Sequence, residues 1–280
     1  MLRVRMTAAA VACGLLLPLG AMAQNRVFEQ TVQLDSGGRL SVEANKGSLQ
    51  LTAWDREEVE IRARIEAPQN VSADYARRAV EATRIDVSGS GSSVRIEPDY
   101  SDVPYREDRW NDNSRSIPFI HFEISAPRQI RLVAESDRGP ATISGFEGDL
   151  DIETDRGEAM LRDLSGRVQI VIDRGDSSRV EGLSGLIDLE ADRADITMRN
   201  VTIDDDSRIE IDRGDLEIDL SENQALTLIA DLSRRAEFES DFPVTMQSMD
   251  GRDFRGTING GGPELLIESD RGRVRLRSIP

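Results

Sequence analysis

The sequence predicts an all-β fold, a single-domain parallel β-solenoid with one short helix near its N-terminal end. Three observations carry that expectation. The tripeptide Asp-Arg-Gly returns at a nearly fixed period, a second glycine marks another corner inside each period, and apolar residues alternate with polar ones between corners. Asp-Arg-Gly stands at Asp137-Arg138-Gly139, Asp155-Arg156-Gly157, Asp173-Arg174-Gly175, Asp212-Arg213-Gly214 and Asp270-Arg271-Gly272, with Asp192-Arg193-Ala194 as a variant. Ser233-Arg234-Arg235 and Asn45-Lys46-Gly47 are looser forms. The starts at 137, 155, 173, 192 and 212 lie 18, 18, 19 and 20 residues apart, so a coil takes about 18–21 residues. A period this short marks a stacked array, in which each unit buries its apolar face only against its neighbours.

Residues 1–23 read as a secretory leader. Arg3 and Arg5 form its positive start, Ala8 to Leu19 its apolar run and Ala21-Met22-Ala23 its cleavage site. The only cysteine, Cys13, lies inside that run, so the mature chain would hold neither a disulfide nor a thiol. No later apolar run is long enough to span a membrane. The expected location is therefore outside the cytoplasm: the periplasm first, the cell surface or the medium otherwise.

Residues 24–118 form an N-terminal β region with one helix. Val27 to Leu34 alternates, Asp35-Ser36-Gly37-Gly38 turns, and Leu40, Val42 and Ala44 alternate again. Leu49, Leu51 and Ala53 follow, then Val59, Ile61, Ala63 and Ile65. Period two is the strand signature. Ser72 caps a helix to Thr83, on which Tyr75, Ala79 and Ala82 share a face. Ile85–Val87 and Val94–Ile96 bracket a Gly-Ser turn and predict a hairpin. Tyr100 to Pro118 is irregular and carries Tyr105, Trp110 and Asn111-Asp112-Asn113.

Residues 119–280 form the repeat array, continuous with the region before it. Aligned on the period, Ala141 falls over Ala159, Ile143 over Leu161, Phe146 over Leu164, Leu150 over Val168, Ile152 over Ile170 and Gly148 over Gly166. Two-apart apolar pairs continue through Leu265 with Ile267 and Val274 with Leu276. Roughly eight coils at about 4.8 Å give an array about 40 Å long.

The repeat also places the charges. Asp137, Asp155, Asp173, Asp192 and Asp212 should form one row, and Arg138, Arg156, Arg174, Arg193 and Arg213 the next. Like charges about 5 Å apart in water repel by roughly 0.8 kcal/mol, and an adjacent row of opposite sign offsets a similar amount. The expected role of these rows is structural, a solvated corner that neutralises itself. Arg174-Gly175-Asp176 and Arg213-Gly214-Asp215 spell a cell-attachment tripeptide only because the repeat grammar writes it. Asp204-Asp205-Asp206 lacks the spaced ligands of a calcium loop and reads as a turn. No cofactor or metal site is expected.

With a net charge of −17, and −19 once Arg3 and Arg5 are removed, the chain is no partner for nucleic acid. His121 is the only histidine, which leaves little scope for a metal site or a triad. It alternates with Ile120 and Phe122 and so belongs on the opposite face. Tyr100, Tyr105 and Trp110 are the one aromatic cluster outside the core pattern, and they are the candidate ligand-binding residues.

The stretch from Phe122 to Arg174 resembles a bacterial exported domain family of unknown function labelled "putative adhesin". That family shows a strand ending in proline, then short repeats of Gly-x-apolar-x-apolar. Ala126-Pro127, Gly139, Gly148, Gly157, Gly166, Gly175 and Gly185 sit where the pattern expects them. Gly260-Gly261-Gly262 through Leu265, Ile267, Gly272, Val274 and Leu276 resemble its last coil. The resemblance spans roughly residues 28–280 and implies surface attachment, with no catalytic residue to carry over. The expected function is a non-enzymatic, adhesin-like binding or scaffolding protein of the envelope, its partner a glycan or a protein. The alternative is a polysaccharide-active β-helix enzyme built on surface carboxylates. A third reading is a structural protein stacked end to end through its terminal coils.

Overall fold

The computed structural model describes residues 25–104 and 116–280, apart from the side chain of Asp176. The predicted leader, Tyr105 and Trp110 lie outside the described residues. The chain runs β1 (Asn25–Ala44), β2 (Gly47–Trp54), β3 (Glu58–Glu66), α1 (Ala73–Ala82), β4 (Arg84–Asp99), β5 (Phe119–Pro127), β6 (Gln129–Arg138), β7 (Ala141–Ser144) and β8 (Glu147–Arg156). It continues through β9 (Ala159–Arg162), β10 (Ser165–Glu181), β11 (Ser184–Ile203), β12 (Ser207–Arg213), β13 (Leu216–Ser221), β14 (Leu226–Ser240), β15 (Thr245–Asp250), β16 (Asp253–Ile258) and β17 (Glu264–Ile279). This is an all-β domain with one helix and a single mixed sheet of 17 strands.

Long strands such as β10 and β11 pass through the Asp-Arg-Gly corner and pair on both sides of it. Before the corner, parallel pairs link β1 to β6, β6 to β8, β8 to β10, β10 to β11 and β11 to β12. After it, parallel pairs link β2 to β7, β7 to β9, β9 to β10, β10 to β11 and β11 to β13. The alternation decides what is buried. Leu132, Leu150, Val168 and Ile187 stack inward from one wall, and Ile143, Leu161, Val180 and Met198 from the other, all at most 2% exposed. Both sets, with strands from residues before 119, belong to one apolar cluster.

Backbone packing dictates glycine at the corner. At Gly157 φ is +148°, and an added Cβ would lie 2.1 Å from the carbonyl oxygen of Gly139 in the coil before. Asn45-Lys46-Gly47 holds the same place one coil earlier, since a Cβ on Gly139 would lie 1.6 Å from the Gly47 oxygen.

The expected parallel β-solenoid is corrected to a mixed sheet, on two counts. First, both ends carry antiparallel pairs. β3 pairs antiparallel with β1 and β5, and β16 with β14 and β15. Terminal units have only one neighbour, so a different pairing there closes the array. Second, the last strand is not the last coil. β17 lies between β12 and β13 on one side and β14 on the other. The corner contacts follow the same order. Gly272 packs on Gly214, where a Cβ would sit 1.9 Å from the Gly214 oxygen. The Ser233-Arg234-Arg235 corner has Ala236 at the glycine position, as the Asp192-Arg193 corner has Ala194, and Ala236 pairs with Gly272.

The helix forms as the sequence predicts. Ser72 caps it, its Oγ accepting from the Tyr75 N–H at 3.2 Å, and Tyr75, Ala76, Ala79 and Val80 are buried. β4 bends at Gly89 and Gly91 so that Arg84 meets Asp99 at 3.0 Å, closing the predicted hairpin.

Candidate functional site

The register converts the repeat into columns of side chains. Arg138, Arg156, Arg174, Arg193, Arg213, Arg271 and Arg235 are successive partners along one row. Each of the five arginines named from the sequence contacts the aspartate before it: Arg138–Asp137 at 3.7 Å, Arg156–Asp155 at 3.2 Å, Arg174–Asp173 at 3.1 Å, Arg193–Asp192 at 3.6 Å and Arg213–Asp212 at 3.2 Å. Arg213 also reaches Asp192 at 3.4 Å. At the open end of the row, burial and then Arg138 hold the Lys46 ammonium below its ordinary pKa.

A hydrogen bond with Asp212, then burial, pushes the Asp192 carboxyl up, and the same bond holds Asp212 down. For Asp155, burial acts upward but is outweighed by hydrogen bonds from Asp173 and Asp137 and by Arg156.

Two residues earlier in each coil runs a second acidic row that inspection of the repeat passed over. Glu43, Glu135 and Glu153 are successive partners, Val171 interrupts, and Glu190, Glu210, Glu268 and Asp231 continue. Burial, then the charges of Glu43 and Glu153, pushes the Glu135 carboxyl up. A shallow groove of about 330 Å³ lies between the acidic rows, lined by Glu210, Asp212, Asp231, Glu268 and Asp270 among others, with no aromatic ring.

The remaining sequence candidates resolve as follows. Tyr100 is half-buried against Tyr75 and Val103, and burial pushes its hydroxyl pKa up. Tyr105 and Trp110 lie outside the described residues. In the Asp204–Asp206 turn, Asp205 accepts from the Asp206 N–H at 2.9 Å and Asp206 from the Glu264 N–H at 2.8 Å. At the second Arg-Gly-Asp, the Asp215 carboxylate accepts from the Arg273 N–H at 2.8 Å. Among the described residues no three His, Cys, Asp or Glu side chains are placed to hold a metal ion. No helix among them is long and apolar enough to cross a membrane.

Comparison with known proteins adds the following. No family model matches the chain, and no curated protein does. Solved structures match along most of it. A "putative cell adhesion protein" from Clostridium sporogenes covers 91% of this chain and 100% of its own, at 8% identity and TM-score 0.34. A "putative adhesin" from Bacteroides fragilis covers 91% and 97%, at 8% identity and TM-score 0.35. One from Parabacteroides merdae covers the same shares, at 10% identity and TM-score 0.34. Similarity at this level carries no argument about role.

A second polar patch was invisible to sequence reasoning. It lies on the outer face of β3, β5 and β2, where His121 sits between a hydroxyl and a carboxylate. Its Nδ1 is 2.9 Å from Ser48 Oγ and its Nε2 is 3.5 Å from Glu66 Oε2. Burial and then Arg64 hold its pKa below 6.5, against the opposing charge of Glu66. The imidazole is therefore neutral at pH 7, and it accepts from Ser48 when its proton is on the Glu66 side. β2 is hydrogen-bonded on both sides, to β5 and β7, so its N–H groups belong to ladders.

Proposed function

We propose that this chain is an exported, non-enzymatic β-solenoid that serves as an adhesin-like binding or scaffolding protein of the cell envelope. The observation that carries the reading is the charged corner. Seven arginines stand in register along the array, and the five at 138, 156, 174, 193 and 213 each contact the aspartate before them. Stacked strands repeat every 4.7–4.9 Å or so. A surface with that repeat can meet an ordered glycan or protein at many equivalent points, each weak, with their sum specific. The corrected strand order supports a rigid presenter, because β17 ties β12, β13 and β14 into one array.

The alternative, a polysaccharide-cleaving enzyme, would use the acidic groove at Glu210 and Asp212. Sugar subsites in such enzymes need a ring platform beside the carboxylates, and the groove lining has none.

The test is binding of the chain to isolated envelope fractions and to a glycan panel, beside an Arg156→Glu/Arg174→Glu variant. Saturable binding to the unaltered chain, reduced at least tenfold in a variant that keeps its melting temperature within a few degrees, is the expected result. Undiminished binding in the variant would move the site off the corner. No binding to any fraction would remove the adhesin reading.

A further inference from the structure

The patch around His121 is a small grid, and its composition specifies a ligand. Across β1, β3, β5 and β2, one row reads Val27, Arg64, His121 and Ser48, because each residue is the register partner of the next. The neighbouring row reads Glu29, Arg62, Glu123 and Gln50 by the same pairings. Val27, Ser48, Arg62, Arg64, His121 and Glu123 line a cavity of about 360 Å³. That falls inside the range of small-ligand pockets, about 300–1,000 Å³.

Each wall of this cavity offers a different kind of contact. Arg62 and Arg64 stand two apart on β3 and so share a face. Arg62 is held from one side by Glu29 at 3.4 Å, and Arg64 by Glu66. A guanidinium has five N–H groups in a planar fork, so one carboxylate partner leaves donors for a second. Opposite them, Glu123 supplies an acceptor. The Ser48 hydroxyl, with its proton directed to His121, keeps lone pairs for an incoming O–H. Val27, 55% exposed, is one of three exposed large hydrophobic residues among the described residues, and it lines the cavity. Forked cations for a carboxylate, acceptors for hydroxyls and one apolar contact for a ring face together describe a sugar acid.

We propose that this cavity binds a single carboxylate-bearing sugar unit, with Arg62 and Arg64 on the carboxylate, Glu123 and Ser48 on the hydroxyls, and His121 orienting Ser48. The site is separate from the charged corner and goes beyond that reading. Its failure would leave the corner untouched, and failure of the corner would leave this cavity.

The test uses the full described chain and D-glucuronate as probe, followed by ligand-observed NMR and calorimetry, with D-glucose, acetate and inorganic phosphate as controls. The expected result is saturable glucuronate binding at least tenfold tighter than any control. That binding should be lost in Arg62→Ala/Arg64→Ala and weakened several-fold in Ser48→Ala. The two arginine side chains are 62% and 45% exposed, so the double variant should keep its fold, which circular dichroism and melting would verify. Equal binding of acetate or phosphate would reduce the site to a simple anion contact and overturn the proposal. So would glucuronate binding that survives the double variant, or no glucuronate binding at all.

Discussion

Two charged columns run along this molecule under opposite rules. At the corner, like charges stack: arginine on arginine from Arg138 to Arg235, with aspartates in the adjacent row. On the other wall, signs alternate from coil to coil. Arg162 partners Glu181, Glu181 partners Arg199, Arg199 meets Asp219 at 3.4 Å, and Asp219 partners Arg277. The alternating column neutralises itself along the array and draws neighbouring coils together. The corner neutralises itself mainly within a coil, with Arg213–Asp192 at 3.4 Å as the exception, so its rows add little to cohesion between coils. A column that stabilises stacking needs no further explanation. A column that keeps like charges in register with little of that benefit is the better candidate for an external partner.

The largest expected effect breaks both columns together, since both rest on the same backbone stacking. Gly157→Val puts a side chain where only 2.1 Å separates Cβ from the Gly139 oxygen. Urea unfolding should show a loss of at least about 3 kcal/mol, or no folded protein.

The next effect separates the columns. Asp219 is 4% exposed and sits between Arg199 and Arg277. Asp219→Ala should cost about 2 kcal/mol, the scale of charge-assisted hydrogen bonds. Arg174→Ala, at the exposed corner, should stay within about 0.5 kcal/mol. Equal losses from the two variants would erase the distinction.

A smaller effect tests the sign rule. Glu181→Arg makes three successive positions positive, and the cost should be about 1 kcal/mol at low salt and close to nothing at 1 M.

The smallest effect concerns protons at the corner. Asp192 is held above its ordinary 3.8 by the bond with Asp212. At Asp192 the folded chain therefore holds more of a proton than the unfolded chain just above that value, and this group's stabilisation is lost as pH rises through the raised pKa. Asp212→Asn supplies a neutral amide donor in place of the shared proton. Melting followed from pH 4 to 6 should then fall less with rising pH in the variant than in the parent.

The array was legible because its signals are local. Leu150-Asp151-Ile152 shows the alternation, and Gly157 shows the corner, within a few residues of chain. The antiparallel ends were not legible, because Val59, Ile61, Ala63 and Ile65 alternate identically whichever way the neighbour runs. The strand order near the C-terminus was hidden for a related reason. Alternation places β17 in the sheet but does not say which strands flank it, and the corner residue does not either, since alanine also stands mid-array at Ala194. The sugar-acid patch left no trace at all, since Ser48, Arg64 and His121 come from three strands that meet only in the folded sheet.

Register gives these columns their meaning, and β17 lies between β13 and β14. Disulfide trapping tests that placement directly in a chain whose only cysteine, Cys13, is replaced by serine. Glu217 partners Arg275, and Arg275 partners Glu239. Neighbouring strands are about 4.8 Å apart, within reach of a disulfide, and next-nearest strands are not. Glu217→Cys/Arg275→Cys and Arg275→Cys/Glu239→Cys should both cross-link on mild oxidation, and Glu217→Cys/Glu239→Cys should not. Cross-linking of the Glu217/Glu239 pair instead would place β13 beside β14, return β17 to the end of the array and contradict the account.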